Sequence, residues 1–169
     1  SDFSGSQYIC DWTNGTVDRL GSDTKANRTH WIVERVESIP VTISSLGYAS
    51  LYLPVATTIP SGVYAWTASS ADADGVIALT MINDGILPAD CAVIVEGAEG
   101  THYFDVTTSV GTATSNFSGT SLTTARPTST TTYMLGCVDN VINLYEYVGD
   151  NIPAFKLYYQ PASGAGVRL

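Results

Sequence analysis

The sequence predicts an all-β domain, a two-sheet β-sandwich with Greek-key or jelly-roll-like connections. Three observations predict it. Short apolar runs with two-residue alternation recur through the chain. Pro, Gly, Asn and Asp separate them at intervals of about 8–12 residues, the spacing of sandwich and barrel strands. Ten Tyr and many Thr and Val favour strands, and no long 3.6-residue periodicity marks a helix.

Residues 1–36 differ in flavour from the rest, being rich in Asn, Asp, Gly and Thr and holding two of the three Trp. Short strands are expected at 7–12, 16–20 and 29–36, with a polar loop at 21–27. The stretch NGTVDRLGSDTKANRTHWIVERV resembles the last part of a ricin-like β-trefoil repeat, although without its full QxW signature. Residues 1–36 are therefore read either as N-terminal strands of the main domain or as the tail of a preceding module. Residues 37–169 are read as the β-sandwich domain. The abrupt start at Ser1-Asp2-Phe3, already in strand-like sequence, is what a mature protein or a segment of something longer would show.

From residue 37 the strands follow without a linker. Ile39, Val41 and Ile43 share one face. Ala49, Leu51, Leu53 and Val55 do the same, up to Pro54, which cannot donate a ladder hydrogen bond and so marks a strand end or a sheet edge. Ile59-Pro60-Ser61-Gly62 is turn chemistry and leads into a strand at 63–68. Asp72-Ala73-Asp74-Gly75 makes a hairpin connection. Residues 76–82 are apolar on both faces and read as a central, doubly covered strand. After Asn83-Asp84-Gly85, residues 91–95 form a further buried strand. The expected core contains Leu51, Leu53, Ile77, Leu79, Val93 and Val95.

The rest is patterned less evenly. A strand at 101–107 pairs back across Gly97-Ala98-Glu99-Gly100. Residues 111–132 are rich in Thr, Ser and Gly, and are either a long surface loop or two weak edge strands. A strong hairpin is expected from 132–138 and 141–148 around Asp139-Asn140. A last strand follows at 155–160, with a flexible tail at 161–166. The total comes to about ten to twelve strands.

The stretch from Gly47 to Gly97, with SIPVTI before it, carries a family pattern: SIPVTISSLGYASLYLPVATTIPSGVYAW, then LT.I.DGILPADCAVIVEG. It resembles a β-domain that recurs near the C-termini of secreted and surface proteins of Bacteroides-type gut bacteria, patterned PVTI…GYATLYLPVAVTIP.GV.AY and L.LT.I..G.IPANTAVVL.G. This chain has Asp90-Cys91 where that pattern has Asn-Thr, and Trp66 where it has Tyr. The resemblance implies an extracellular or cell-surface setting and an accessory role beside neighbouring modules of the same polypeptide, often carbohydrate-active ones.

Composition excludes some function classes. Seven basic against sixteen acidic residues give a net charge of −9, so no clustered Lys/Arg surface is available for nucleic acid. No run is long enough to span a bilayer as a helix, so no membrane insertion is expected. Cys10, Cys91 and Cys137 are expected as reduced thiols, the last two buried among apolar strand residues. No CxxC pair or Cys/His cluster offers a metal site, and no cofactor is implied.

Catalytic signals are weak. His30 and His102 are the only histidines, there is no G-x-S-x-G elbow, and His102 shares a strand face with Phe104 and Val106. Sixteen acids make chance carboxylate pairs such as Glu34 and Glu37 easy to find. Asp72-Ala73-Asp74-Gly75 lacks the third oxygen ligand and distal Glu of a calcium loop, and reads as a plain turn. No enzyme is expected. The primary reading is a non-catalytic accessory module. The alternative is a carbohydrate-binding module for neutral glycans, with a hydrolase domain as third choice. Trp12, Trp31, Tyr64, Trp66 and Tyr158 are the candidate sugar platforms. Trp66, with Asp72 and Asp74 in the following turn, is the chosen ligand site.

Overall fold

The computed structural model describes residues 36–161 and 166–169. The strands expected in residues 1–35, the β-trefoil resemblance, Cys10, Trp12, His30, Trp31 and Glu34 lie outside the described residues. So does most of the expected tail.

The described residues form fourteen strands. In the first half they are β1 (Ser38–Ile43), β2 (Tyr48–Leu51), β3 (Thr57–Thr58), β4 (Val63–Ala68), β5 (Leu79–Met81), β6 (Ile86–Leu87), β7 (Val93–Gly97) and β8 (Gly100–Asp105). The second half adds β9 (Ser118–Gly119), β10 (Thr124–Ala125), β11 (Tyr133–Val138), β12 (Val141–Glu146), β13 (Asn151–Ile152) and β14 (Leu157–Tyr158). The described residues alone exceed the ten to twelve expected of the whole chain, because six of these strands are ladders only two residues long. The fold is all-β and consistent with a β-sandwich. Its strands group as one four-stranded antiparallel sheet, ordered β2-β7-β4-β5, and five antiparallel pairs.

Why the four-stranded sheet is the centre follows from β7. Residues 91–95 are all buried, and side chains of a strand alternate between faces. Both faces of β7 must therefore be covered. Val93 and Val95 join one apolar cluster, with Ile43, Leu51, Leu87 and Phe104. Ala92 and Ile94 join a second, with Phe117, Leu144, Leu157 and Tyr159. The first cluster draws on the pairs β1–β8 and β3–β6, which a bridge between Thr57 and Val106 ties together. The second draws on β12 and on β14, whose neighbour Tyr159 bridges to Tyr133 of β11.

Turn chemistry fixes the registers. Val63 N–H donates to the Pro60 carbonyl at 3.1 Å and Gly62 has φ 79°, a left-handed residue at the third turn position that glycine adopts without strain. Asp139 and Asn140 both have positive φ, 52° and 62°, which gives the mirror-image turn whose twist matches a two-residue hairpin. The β11–β12 register runs from Val138 opposite Val141 to Tyr133 opposite Glu146. Pro40 is tolerated because, among the described residues, β1 pairs on one side only, with β8.

Gly75 serves a tighter purpose. Its φ is 77°, and a Cβ there would overlap the Gly166 carbonyl oxygen. Arg168 N–H donates to the Gly75 carbonyl, and Ile77 N–H to the Arg168 carbonyl, both at 2.9 Å. The C-terminal residues thus dock against the chain beside a residue that has no side chain.

Four expectations are corrected. The strand after Gly97-Ala98-Glu99-Gly100 does not form a hairpin with the strand before it: β8 pairs with β1, while β7 pairs with β2 and β4. Residues 76–82 are not a central, doubly covered strand: β5 covers only Leu79–Met81 and lies at the sheet edge. Ile77 and Ile82 are buried, but in different clusters, so the run's two apolar ends serve opposite faces. Leu79 between them is 36% exposed and is not core, whereas Leu51, Leu53, Ile77, Val93 and Val95 are. Cys137 is exposed, because it sits near the tip of the β11–β12 hairpin, with Val138 and Val141 also exposed. Cys91 is buried, and Cys91 and Cys137 are both free thiols. The open alternative for residues 111–132 resolves as a mainly irregular segment holding the short strands β9 and β10.

Leu87→Ala, at a fully buried position, is expected to lower the unfolding free energy by about 2–5 kcal/mol, the range for large-to-small core changes. Leu79→Ala at the exposed edge is expected to cost under about 1 kcal/mol. Urea unfolding of both variants checks the assignment, and equal losses would contradict it.

Candidate functional site

The site is built at the far end of β7, where the cover on its second face thins. In register, Glu96 lies opposite Tyr48 of β2 on one side and Tyr64 of β4 on the other. Trp66 of β4 lies opposite Ile94 of β7 and Met81 of β5. Even-numbered residues of β4 and β7 share one face, so Tyr64, Trp66, Ile94 and Glu96 belong together. Trp66 and Tyr48 are half-buried and pack against the second apolar cluster.

The polar atoms converge on one carboxylate. Trp66 Nε1–H donates to Glu96 Oε2 at 3.0 Å. Tyr48 O–H donates to Glu96 Oε1 at 3.3 Å. Burial first, and then the neighbouring Glu96 charge and hydrogen bond, raises the Tyr48 phenol above its ordinary pKa. Leu46, Leu79, Ile94 and Ile142 add aliphatic walls around an open cleft of about 540 Å³, with Asn140 and Leu169 at its rim. Among the described residues no Lys, Arg or His lines this cleft.

Of the three residues expected at the ligand site, the cleft takes Trp66 alone; Asp72 and Asp74 do not line it. Asp72 Oδ1 accepts the Asp74 N–H at 2.9 Å and the Val76 N–H at 2.8 Å. Its carboxylate holds the turn by mimicking a backbone carbonyl. Asp74 is exposed on that turn. Among the described residues no three His, Cys, Asp or Glu side chains cluster closely enough to hold a metal ion.

Other candidates have structural partners. A ring nitrogen of His102, Nε2, lies 2.8 Å from the Ala98 carbonyl oxygen. Tyr64 is 51% exposed beside Glu96 and remains part of the same surface. A second phenol–carboxylate pair joins Tyr52 O–H to Asp90 Oδ1 at 2.6 Å. That hydrogen bond, then burial, raises the Tyr52 pKa. Sequence reasoning missed Tyr48 and Glu96. The available signal was parity, since Glu96 continues the alternation of Ala92 and Ile94, but only the register brings Tyr48 and Trp66 to it.

Among the described residues no helix is long and apolar enough to cross a membrane. No family model, curated protein or solved structure matches the chain.

Both raised phenols have a folded-state pKa above the ordinary tyrosine value of about 10. A group raised in this way contributes stability that is complete below its unfolded pKa and is lost as pH rises through its folded pKa. Unfolding free energy is therefore expected to hold steady up to about pH 10 and to fall above it. Tyr52→Phe should flatten part of that alkaline fall, as followed by denaturant titration at stepped pH. An unchanged alkaline profile in Tyr52→Phe would contradict the assignment.

Proposed function

We propose that this chain is a non-catalytic accessory module of a larger secreted or cell-surface protein, working outside the cytoplasm beside neighbouring modules. The resemblance of the Gly47–Gly97 stretch to a domain of such proteins supports the setting. The observation that carries the non-catalytic part is the state of Glu96: both its oxygens already accept hydrogen bonds, from Trp66 and Tyr48. A carboxylate that two donors orient in a cleft wall suits holding a ligand, the role of a binding module. Protease treatment of intact cells making the full-length parent protein tests the setting. Cleavage in the module before lysis is expected, and protection until lysis would overturn the reading.

A second reading is favoured by the cleft itself. Trp66 lines an open, largely aliphatic cleft with a carboxylate at its wall, the combination of apolar surface and few polar groups that binding sites use. On this reading the module binds neutral glycans weakly and without calcium, stacking them on Trp66. Trp66→Ala is expected to weaken any glycan binding at least about tenfold, the equivalent of about 1.4 kcal/mol, in calorimetry with and without EDTA. Binding that survives the substitution, or that needs calcium, would remove this reading.

A further inference from the structure

The direction of the Trp66–Glu96 hydrogen bond decides what the cleft can read. An indole N–H lies in the plane of its ring, and hydrogen bonds prefer to be near linear. Glu96 Oε2, 3.0 Å from Nε1, therefore sits at the ring's edge and leaves the indole faces clear of the carboxylate. The face of an aromatic ring is the negative part of its quadrupole and attracts polarised C–H groups. A flat, C–H-bearing ring stacked on Trp66 would present its edge substituents to Glu96.

The carboxylate has capacity left for them. An ionised carboxylate offers about four acceptor sites and no donor. Tyr48 and Trp66 take one each in the described structure. The remaining sites can accept only from donors, so an acidic substituent finds no partner there. With no cation in the lining among the described residues and a chain of net charge −9, such a substituent would also meet repulsion. Asn140, at the exposed hairpin tip on the rim, supplies an amide that both donates and accepts, as hydroxyl groups require.

We infer that Glu96 is the ligand-reading residue of the Trp66 cleft: held by Trp66 and Tyr48, it accepts hydrogen bonds from adjacent hydroxyls of a neutral pyranose stacked on the indole, and it rejects uronic and sulfated sugars. The inference rests on the glycan-binding reading and puts Glu96 in the place beside Trp66 where Asp72 and Asp74 were expected.

A glycan array carrying neutral, amine-bearing, uronic and sulfated glycans, followed by calorimetry on the neutral binder, tests it with the full chain. Wild type is expected to retain neutral glycans and to discriminate against uronic ones. Glu96→Gln, which keeps an acceptor for Trp66 Nε1, should lose at least tenfold on the neutral glycan and narrow the uronic discrimination. Tyr48→Phe leaves the carboxylate in place but removes one of its two tethers, and should lose a few-fold. It serves as the second variant if Glu96→Gln does not fold. Neutral binding in Glu96→Gln within twofold of wild type, with discrimination unchanged, would overturn the role of Glu96 while the glycan reading stands. Binding of amine-bearing glycans alone would overturn the neutral class. Absence of binding to any glycan would overturn the glycan reading and this inference together.

Discussion

The run from Cys91 to Val95 is buried at every residue, and that single constraint arranges the rest of the chain. A strand with apolar side chains on both faces exposes one of them unless two separate sets of elements pack against it. Residues from β1, β6 and β8 cover one face, and residues from β12, β14 and the segments around them cover the other. Fully burying each of Val93, Ile94 and Val95 stabilises the fold by about 1.5–3 kcal/mol. The backbone is served by the same arrangement. With β2 on one side and β4 on the other, β7 pairs along both edges, so its N–H and C=O groups are not left unsatisfied in an apolar interior.

The double cover ends where β7 leaves the core. Gly97 closes the strand in a narrow place: a Cβ there would press on the Ile43 side chain at 3.0 Å and the Gly62 carbonyl at 3.2 Å. One residue earlier, Glu96 points to the second face, at the margin of the apolar cluster there. Trp66 and Tyr48 belong partly to that cluster and partly to the cleft, so the packing that stabilises the sheet also orients the donors on the carboxylate. Rigid strands rather than loops hold all three.

How much of this could be read beforehand depended on whether the deciding force was local. Turn chemistry is local, and the Pro60–Gly62 and Asp139–Asn140 turns emerge where their residues put them. Strong alternation is nearly local, and Leu51, Leu53, Val93 and Val95 are buried as their pattern requires. Leu79 failed because an apolar run does not say whether its strand is central or at an edge; that depends on which strand pairs beyond it, and among the described residues none does. Cys137 failed for a related reason, since the β11–β12 hairpin tip extends past its cover. Trp66, which lines the cleft, was visible in the sequence as an aromatic of the 63–68 strand. Glu96 was not, because its partner Tyr48 is 48 residues away and only the β2–β7 register makes them neighbours. Asp72 and Asp74 looked like partners by proximity in sequence, yet Asp72 is occupied with its own turn.

The two phenol–carboxylate pairs share a design that fits an acidic chain. Tyr48 and Tyr52 lie on one face in and just after β2, and they engage Glu96 and Asp90 at opposite ends of the buried run. A chain with seven basic and sixteen acidic residues cannot pair every carboxylate with a cation. Neutral O–H and N–H donors meet part of the need without cancelling charge. The distinction matters at Glu96. An arginine there could have taken both oxygens in a bidentate pair and cancelled the charge of the site. Indole and phenol also take one acceptor site on each oxygen but bring no positive charge, and they leave the carboxylate oriented and still able to accept. The same choice of donor that suits the protein's charge balance keeps the cleft chemically open to a ligand that brings hydroxyl donors.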